Sequence, residues 1–170
     1  MTGSVRNYFG ILFFSLVAYA LQAQKYGHVN SASLVDSLNE TKDLIAQLSR
    51  YEKALKETGD KMISRLQLNM EVYKSEVATG KLTAQKKREM EENLEMEQDA
   101  VGKYQTNATE SLENKRKELF TPLLEKIQKT INDYARSHGY LFVFDSSFGL
   151  IHQDPTYDLA PELIRILNQK

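Results

Sequence analysis

The chain has 170 residues, of which 26% are charged, and a formal net charge of -1 at pH 7. This length fits one domain, and the near-neutral balance excludes the general attraction to nucleic acid that strongly basic proteins have. The sequence contains no cysteine, no tryptophan and only three prolines. This composition is typical of long solvated helices rather than of a compact enzyme, and it excludes disulfides and thiol nucleophiles.

Residues 1–23 have the pattern of a secretory signal peptide. Arg6 gives the positive start and residues 8–21 form an apolar run, with cleavage expected between Ala20 and Ala23 and preferred after Ala23. A membrane anchor is the competing interpretation, but a span needs about 20 apolar residues and this run is shorter. No cysteine follows that could carry a lipid anchor. We therefore expect export as a soluble protein.

The segment that follows predicts a short strand leading into a long helix. Residues 25–30 form the strand candidate, which Gly27 weakens. Asn30, Ser31 or Ser33 can cap the helix by accepting a hydrogen bond from a free backbone amide.

Two long segments, Ser31 to Thr79 and Thr83 to His138, predict helices with an apolar repeat of eleven residues. Eleven residues in three turns match a nearly straight helix, so the apolar positions stay on one face. The first helix alone would extend roughly 70 Å, which predicts an antiparallel hairpin that projects as an arm. The repeat consists of Leu44, Leu55, Leu66 and Val77 in the first segment and Met90, Val101, Leu112, Leu123 and Tyr134 in the second.

Residues 78–83 predict the tip of this hairpin, with Gly80 closing the first helix and Thr83 capping the second. A basic cluster surrounds the tip: Lys74, Lys81, Lys86, Lys87 and Arg88. The simpler interpretation is a solvated charge run. The functional alternative is contact with anionic lipid head groups or with acidic segments of a bound protein.

Three residues predict irregularities in the helices. Gly59 and Gly102 fall nearly opposite each other in the hairpin, which implies either a close approach of the two backbones or a flexible point, and we favour the flexible point. Pro122 removes one hydrogen bond of the second helix and predicts a kink.

The carboxyl-terminal part predicts a small β body. Residues 140–144 are continuously apolar, as in a strand that is buried on both faces, and residues 148–152 predict a second strand joined to it in a hairpin. A terminal helix follows, with Asp158 as its cap and Pro161 in its first turn.

Three short strands and one helix cannot cover such a buried strand, so we expect the chain to associate with itself. The expected division is a helical arm at residues 31–122 and an oligomerisation body at residues 24–30 and 123–170. The expected oligomer core is Val29, Phe142, Phe144, Leu150 and Ile151.

No catalytic, cofactor or metal site is predicted. His28, His138 and His152 share no ligand spacing, and Ser146 and Ser147 lie in a turn without the frame of a catalytic serine. The acidic residues lie on extended helices, where no pocket would shift their pKa values.

The methionine and aromatic residues of the arm allow two interpretations. Most belong to the seam between the two helices, but some can instead face a bound polypeptide, because flexible Met and amphipathic Tyr side chains accept varied apolar partners. The candidates for the second role are Met96, Tyr104, Met70 and Tyr73.

Four stretches of the chain resemble the Skp/OmpH family of periplasmic chaperones. They are residues 122–127 (PLLEKI), 139–145 (GYLFVFD), 157–162 (YDLAPE) and the pair Val29-Asn30. The first three look like that family's proline-containing helix, the strand that follows it and the closing helix. The arm is similar in pattern and length more than in individual residues.

The resemblance implies an α+β fold in which three chains form a jellyfish-like homotrimer around a cavity. It also implies an ATP-independent holdase that shelters unfolded outer-membrane β-barrel proteins. The alternative is an exported coiled-coil scaffold or adaptor of the cell envelope, in which all apolar residues are consumed in helix pairing. The two differ in whether the assembled hairpins keep accessible apolar surface.

Overall fold

The computed structural model describes residues 24–169, so the predicted signal peptide at residues 1–23 lies outside the described residues. The described chain is an α+β fold with two long helices that form a hairpin, a two-stranded sheet and a carboxyl-terminal helix, as predicted. The elements are β1 (Lys25–Val29), α1 (Ser31–Asp36), α2 (Asn39–Ala78), α3 (Ala84–Ser137), β2 (Tyr140–Asp145), a 3-10 turn (Pro155–Tyr157) and α4 (Ala160–Asn168).

The described chain divides into two compact units. The strand unit comprises the residues up to Val35 and from Gln128 onward, and the helical unit is Asp36–Ile127. Within residues 24–169, no helix is long and apolar enough to cross a membrane.

The first long helix is interrupted, so the prediction of one continuous helix from Ser31 was wrong. The chain leaves the helical conformation after Asp36, and Leu38 adopts extended dihedral angles (φ -81°, ψ 138°) before α2 begins. Leu38 is buried in this conformation. Burial of a leucine side chain stabilises a fold by about 1.5–3 kcal/mol, which offsets the helical hydrogen bonds lost at the break.

The predicted helix ends are confirmed. Asn30 is the cap of α1, because its Oδ1 atom accepts a hydrogen bond from the amide of Ser33 at 2.9 Å. Gly80 ends the turn after α2 with φ +67°, a conformation that glycine adopts at low cost. Thr83 Oγ1 accepts a hydrogen bond from the amide of Lys86 at 3.2 Å and so caps α3.

The sheet consists of β1 and β2 in parallel, with Tyr26 opposite Phe142 and His28 opposite Phe144. The prediction of a hairpin between residues 140–144 and 148–152 was therefore wrong. Residues 146–154 contain no strand, and Gly149 has φ +89°, which a regular strand excludes.

The core of the strand unit lies between β1, α1 and α4. The N-cap position of α4 is Leu159, one residue after the predicted cap Asp158, whose Oδ1 atom accepts a hydrogen bond from the amide of Ala160 at 2.9 Å. Gly27 allows Leu159 to lie against β1, because a Cβ atom at Gly27 would lie only 2.8 Å from Leu159 Cδ1. The buried apolar residues of the unit are Val29, Leu34, Leu159, Leu163 and Leu167.

The helical unit has a seam of half-buried residues that follows the eleven-residue repeat. Leu44, Leu55 and Leu66 are half-buried as predicted, but Val77 is exposed. All five repeat positions of α3 are at least half-buried, and Leu123 is fully buried.

We expect the substitution Leu163→Ala to lower the free energy of unfolding by about 3 kcal/mol, because it removes a fully buried side chain and leaves a cavity. The neighbouring substitution Ile166→Ala, at a half-buried position of the same helix, should cost clearly less. Urea denaturation followed by circular dichroism measures both. Equal losses would contradict the position of Leu163 in the core.

Candidate functional site

Gly59 lies beside an aromatic ring at the middle of the hairpin. A Cβ atom at Gly59 would lie 3.4 Å from the ring of Tyr104, whose hydroxyl donates a hydrogen bond to the carbonyl of Leu55 at 2.9 Å. A Cβ atom at Gly102 would meet nothing within 4 Å. The two glycines therefore have different surroundings, and the predicted flexible point stays a prediction.

A polar cluster crosses the seam nearer the turn. The carboxylate of Glu97 accepts hydrogen bonds from Asn69 Nδ2 at 2.8 and 3.0 Å and pairs with Arg65 Nε at 3.2 Å. The apolar repeat could not reveal these residues, because polar side chains were assigned to the solvated face.

Further contacts fix the same register towards both ends of the helical unit. Tyr73 donates a hydrogen bond to Glu91 Oε1 at 2.5 Å, and Lys126 Nζ lies 2.6 Å from Glu40 Oε2. The hydrogen bond to the Glu91 carboxylate, with a smaller contribution from desolvation, raises the pKa of the Tyr73 phenol. These pairs hold α2 and α3 in one lengthwise alignment.

The hairpin leaves apolar side chains exposed away from the seam. Of the four candidates for contact with a bound polypeptide, Met96 is 61% exposed and Met70 is also exposed. Tyr73 and Tyr104 are half-buried and bonded within the hairpin. Ile45, Leu68 and Val72 are exposed as well, although the sequence had not singled them out. The client-facing role of these residues stays a prediction.

The predicted basic cluster is exposed around the turn. Lys86 pairs with Glu89 at 3.3 Å and Lys87 with Glu91 at 3.8 Å, both on the surface, where such pairs contribute little. The other three members, Lys74, Lys81 and Arg88, form no ion pair with any described residue. The turn therefore keeps a local positive charge.

An aromatic face is the main exposed apolar surface of the strand unit. The rings of Tyr26 and Phe142 lie 6.1 Å apart and nearly parallel, and Phe142 and Phe144 are 6.2 Å apart. Phe142 is 55% exposed and Phe144 47%, so the strand predicted to be buried on both faces is exposed in the single chain. Burial would require a partner.

The remaining residues of the expected oligomer core differ in their accessibility. Leu150 is exposed and Ile151 is fully exposed, whereas Val29 is buried inside its own chain and offers no surface to another copy. Tyr26 belongs to the exposed face but was not among the predicted residues.

The three histidines do not form a ligand set. His28 Nε2 lies 3.0 Å from the carbonyl of Asp154, and His138 Nδ1 lies 2.9 Å from the carbonyl of Tyr134. Among the described residues, no group of three or more acidic, histidine or cysteine side chains could hold a metal ion.

Asp145 ties the end of β2 to the start of α1. Its Oδ1 atom accepts hydrogen bonds from the amide of Ser31 at 3.2 Å and from the amide and hydroxyl of Ser147 at 2.9 and 2.7 Å. Partial burial by itself raises the pKa of Asp145, but these hydrogen bonds together outweigh it and lower the pKa from 3.8 to about 2. The sequence had indicated only a turn here.

We expect Asp145→Asn to lower the free energy of unfolding by about 1–2 kcal/mol at neutral pH, because it removes the charge that three hydrogen bonds stabilise. The folded pKa lies below the unfolded one, so this contribution is complete above pH 3.8 and is lost as the pH falls towards about 2. Urea denaturation at several pH values measures the difference between the two proteins.

The control is Asp133→Asn, which removes a carboxylate 2.5 Å from Lys129 on an exposed helix face. It should change the free energy of unfolding by less than about 0.5 kcal/mol. A difference between Asp145→Asn and the unmodified protein that does not depend on pH would argue against the role given to the carboxylate.

Comparison with known proteins gives one family and a matching fold. The family model described as "Outer membrane protein (OmpH-like)" matches residues 25–167. A crystal structure from Caulobacter crescentus, assigned as a candidate outer membrane chaperone (OmpH-like), matches with a TM-score of 0.77 and 10% identity over 86% of this chain and 85% of that chain. At this identity the likeness shows the fold alone. No curated protein matches this chain.

Proposed function

This chain belongs to the OmpH-like family of outer membrane proteins, and we propose that it is a periplasmic chaperone of the ATP-independent holdase type. Its clients would be unfolded β-barrel proteins on their way to the outer membrane. The family match over residues 25–167 carries this proposal. The chaperone assignment of the Caulobacter protein, which shares the fold, supports it.

The exposed side chains of the helical unit suit a holdase. Apolar residues such as Met96, Leu68 and Ile45 are exposed at separate points of helices that are otherwise rich in charged residues, so they offer a client several scattered contacts. Many weak contacts retain a polypeptide by multivalency, while each contact exchanges rapidly. Retention and release then need no nucleotide. No catalytic function is proposed.

The proposal includes assembly of three chains through the strand units. The exposed aromatic face formed by Tyr26, Phe142 and Phe144 supports it, because exposed apolar surface of this kind marks an interaction site. Leu150 and Ile151 extend the exposed apolar surface. Clients would then bind between the hairpins of the assembly. A contact of the basic turn with anionic lipid is a further possibility within the same proposal.

We expect the purified protein to sediment with the mass of about three chains, and the double variant Phe142→Asp, Phe144→Asp to sediment as a single chain. Two carboxylates buried in an interface without partners cost several kcal/mol, which is enough to prevent assembly. Analytical ultracentrifugation measures the mass.

The matched control is Leu68→Asp together with Met96→Asp, which places the same charges on exposed positions of the helical unit. This variant should keep the mass of the unmodified protein. If the unmodified protein itself sediments as one chain, the trimer proposal is wrong.

We expect the protein to suppress the precipitation of a β-barrel membrane protein diluted out of urea, at about one trimer per client and with no effect of added ATP. Light scattering follows the precipitation. Replacement of Met70 and Met96 by Ser should reduce the suppression, because it removes exposed apolar contacts.

The outcome separates the two classes of function. A scaffold or adaptor of the cell envelope would leave the precipitation unchanged. The double variant Lys53→Ser, Lys61→Ser serves as the control, because it alters two exposed polar positions of α2 and should leave the suppression intact.

A further inference from the structure

A groove runs along one flank of the hairpin, between α2 and α3 near the turn. It consists of two cavities of about 280 and 470 Å³ that share Val72 and Met90. Leu82 and Leu94 complete its apolar lining, one towards the turn and the other away from it. Val72 is 46% exposed and the other three are half-buried, so the groove presents accessible apolar surface beside the seam.

The end of the groove away from the turn is polar but electrically balanced. Glu97 lines it, and its carboxylate is already bonded to Asn69 and Arg65. Asn93 lines the same end, and its side chain forms no hydrogen bond with any described residue. This end can therefore offer an amide to a polypeptide backbone without adding an uncompensated charge.

The end of the groove at the turn is positive. Lys81 and Lys86 line it, and Lys81 has no ionic partner among the described residues. Glu76 also lines this end and offsets part of the charge. Two lysines against one glutamate leave a net charge of +1 among the lining residues, and the pair of Lys86 with Glu89 at 3.3 Å is an exposed one that contributes little. An acidic group is the complementary ligand chemistry for this end.

The length of the groove fits a short stretch of extended chain. From Leu82 to Glu97 the helix rises about 20 Å at 1.5 Å per residue. About six residues in extended conformation, at roughly 3.3 Å each, cover that distance. An extended chain also points alternate side chains to one side, which matches a narrow apolar floor with polar rims.

We propose that this groove binds an extended segment of an unfolded client, with alternate apolar side chains on Val72 and Met90 and an acidic group at Lys81 and Lys86. This inference rests on the proposed holdase function and assigns a defined client subsite to it. A planar lipid surface would meet the lysines of the turn but would not enter the concave apolar floor. The groove therefore favours a polypeptide over a membrane.

The test uses the purified full protein and a fluorescent peptide of about six residues, with Val and Tyr at alternate positions and a pair of Asp at one end. A comparison peptide has the same sequence with Lys in place of each Asp. Fluorescence anisotropy gives the affinities. We expect the acidic peptide to bind at least about threefold more tightly, and added salt to reduce the difference.

Val72→Glu should weaken the binding of both peptides about tenfold, because it places a charge on the apolar floor. Leu124→Glu is the matched control, since it also places a carboxylate on a similarly exposed apolar position of the helical unit, outside the groove, and it should leave the affinity within about twofold. The double variant Lys81→Ala, Lys86→Ala should weaken only the acidic peptide, by about threefold, and Lys61→Ala should not.

Equal effects of Val72→Glu and Leu124→Glu on the peptides would overturn the groove assignment. The same conclusion follows if the double lysine variant loses binding to vesicles of anionic phospholipid while its peptide affinities stay unchanged. The precipitation assay with unmodified protein keeps the two proposals separate. If the unmodified protein suppresses precipitation but the groove variants bind the peptides normally, only the subsite proposal is wrong. If the unmodified protein does not suppress precipitation, the holdase proposal itself is wrong.

Discussion

The lengthwise pairing of α2 and α3 is the constraint on which the helical unit depends. The eleven-residue spacing keeps Leu44, Leu55 and Leu66 on one face of a nearly straight helix, so a single seam can continue through the whole pair. Polar contacts such as Asn69 with Glu97 then fix which residues face each other, because a slip of one turn would leave half-buried polar groups without partners. Apolar spacing provides attraction, and the polar pairs provide register.

A pair of helices cannot enclose a large core, and this has a direct effect on function. Each helix presents one stripe to its partner and keeps the rest of its circumference in solvent. Side chains such as Val72 and Met96 therefore stay accessible without any conformational change. The strand unit differs, because its apolar side chains Leu34, Leu159 and Leu163 are buried in its own core. Its aromatic face and the exposed side chains of Leu150 and Ile151 remain available.

Local sequence patterns predicted what depends on local physics. The cap at Asn30, the turn at Gly80 and the eleven-residue repeat except for Val77 all follow from helix geometry, and these predictions were confirmed. The break at Leu38 was not predictable, because burial of that side chain overrides the helical preference of its neighbours. Residues 148–152 had the composition of a strand, but the partner of β2 is β1, from the other end of the described chain.

Among the site residues, exposure was easier to predict than contact. Met96 lies off the repeat and is exposed, whereas Tyr104 also lies off the repeat but donates a hydrogen bond across the seam to the carbonyl of Leu55. That contact depends on the residue opposite, which a repeat within one helix does not report. The groove at Val72 and Met90 likewise needs both helices in register before it exists.

The parallel sheet affects the order in which the parts of the chain fold. Its two strands are joined by the entire hairpin, and the contact between Ser31 and Asp145 closes a loop of 114 residues. Closing so long a loop is slow, because the entropy of the intervening chain opposes it until the helices have shortened that chain. β1 cannot pair until β2 has been synthesised, so the helical pair can form first and the aromatic face appears only after the two strands have met.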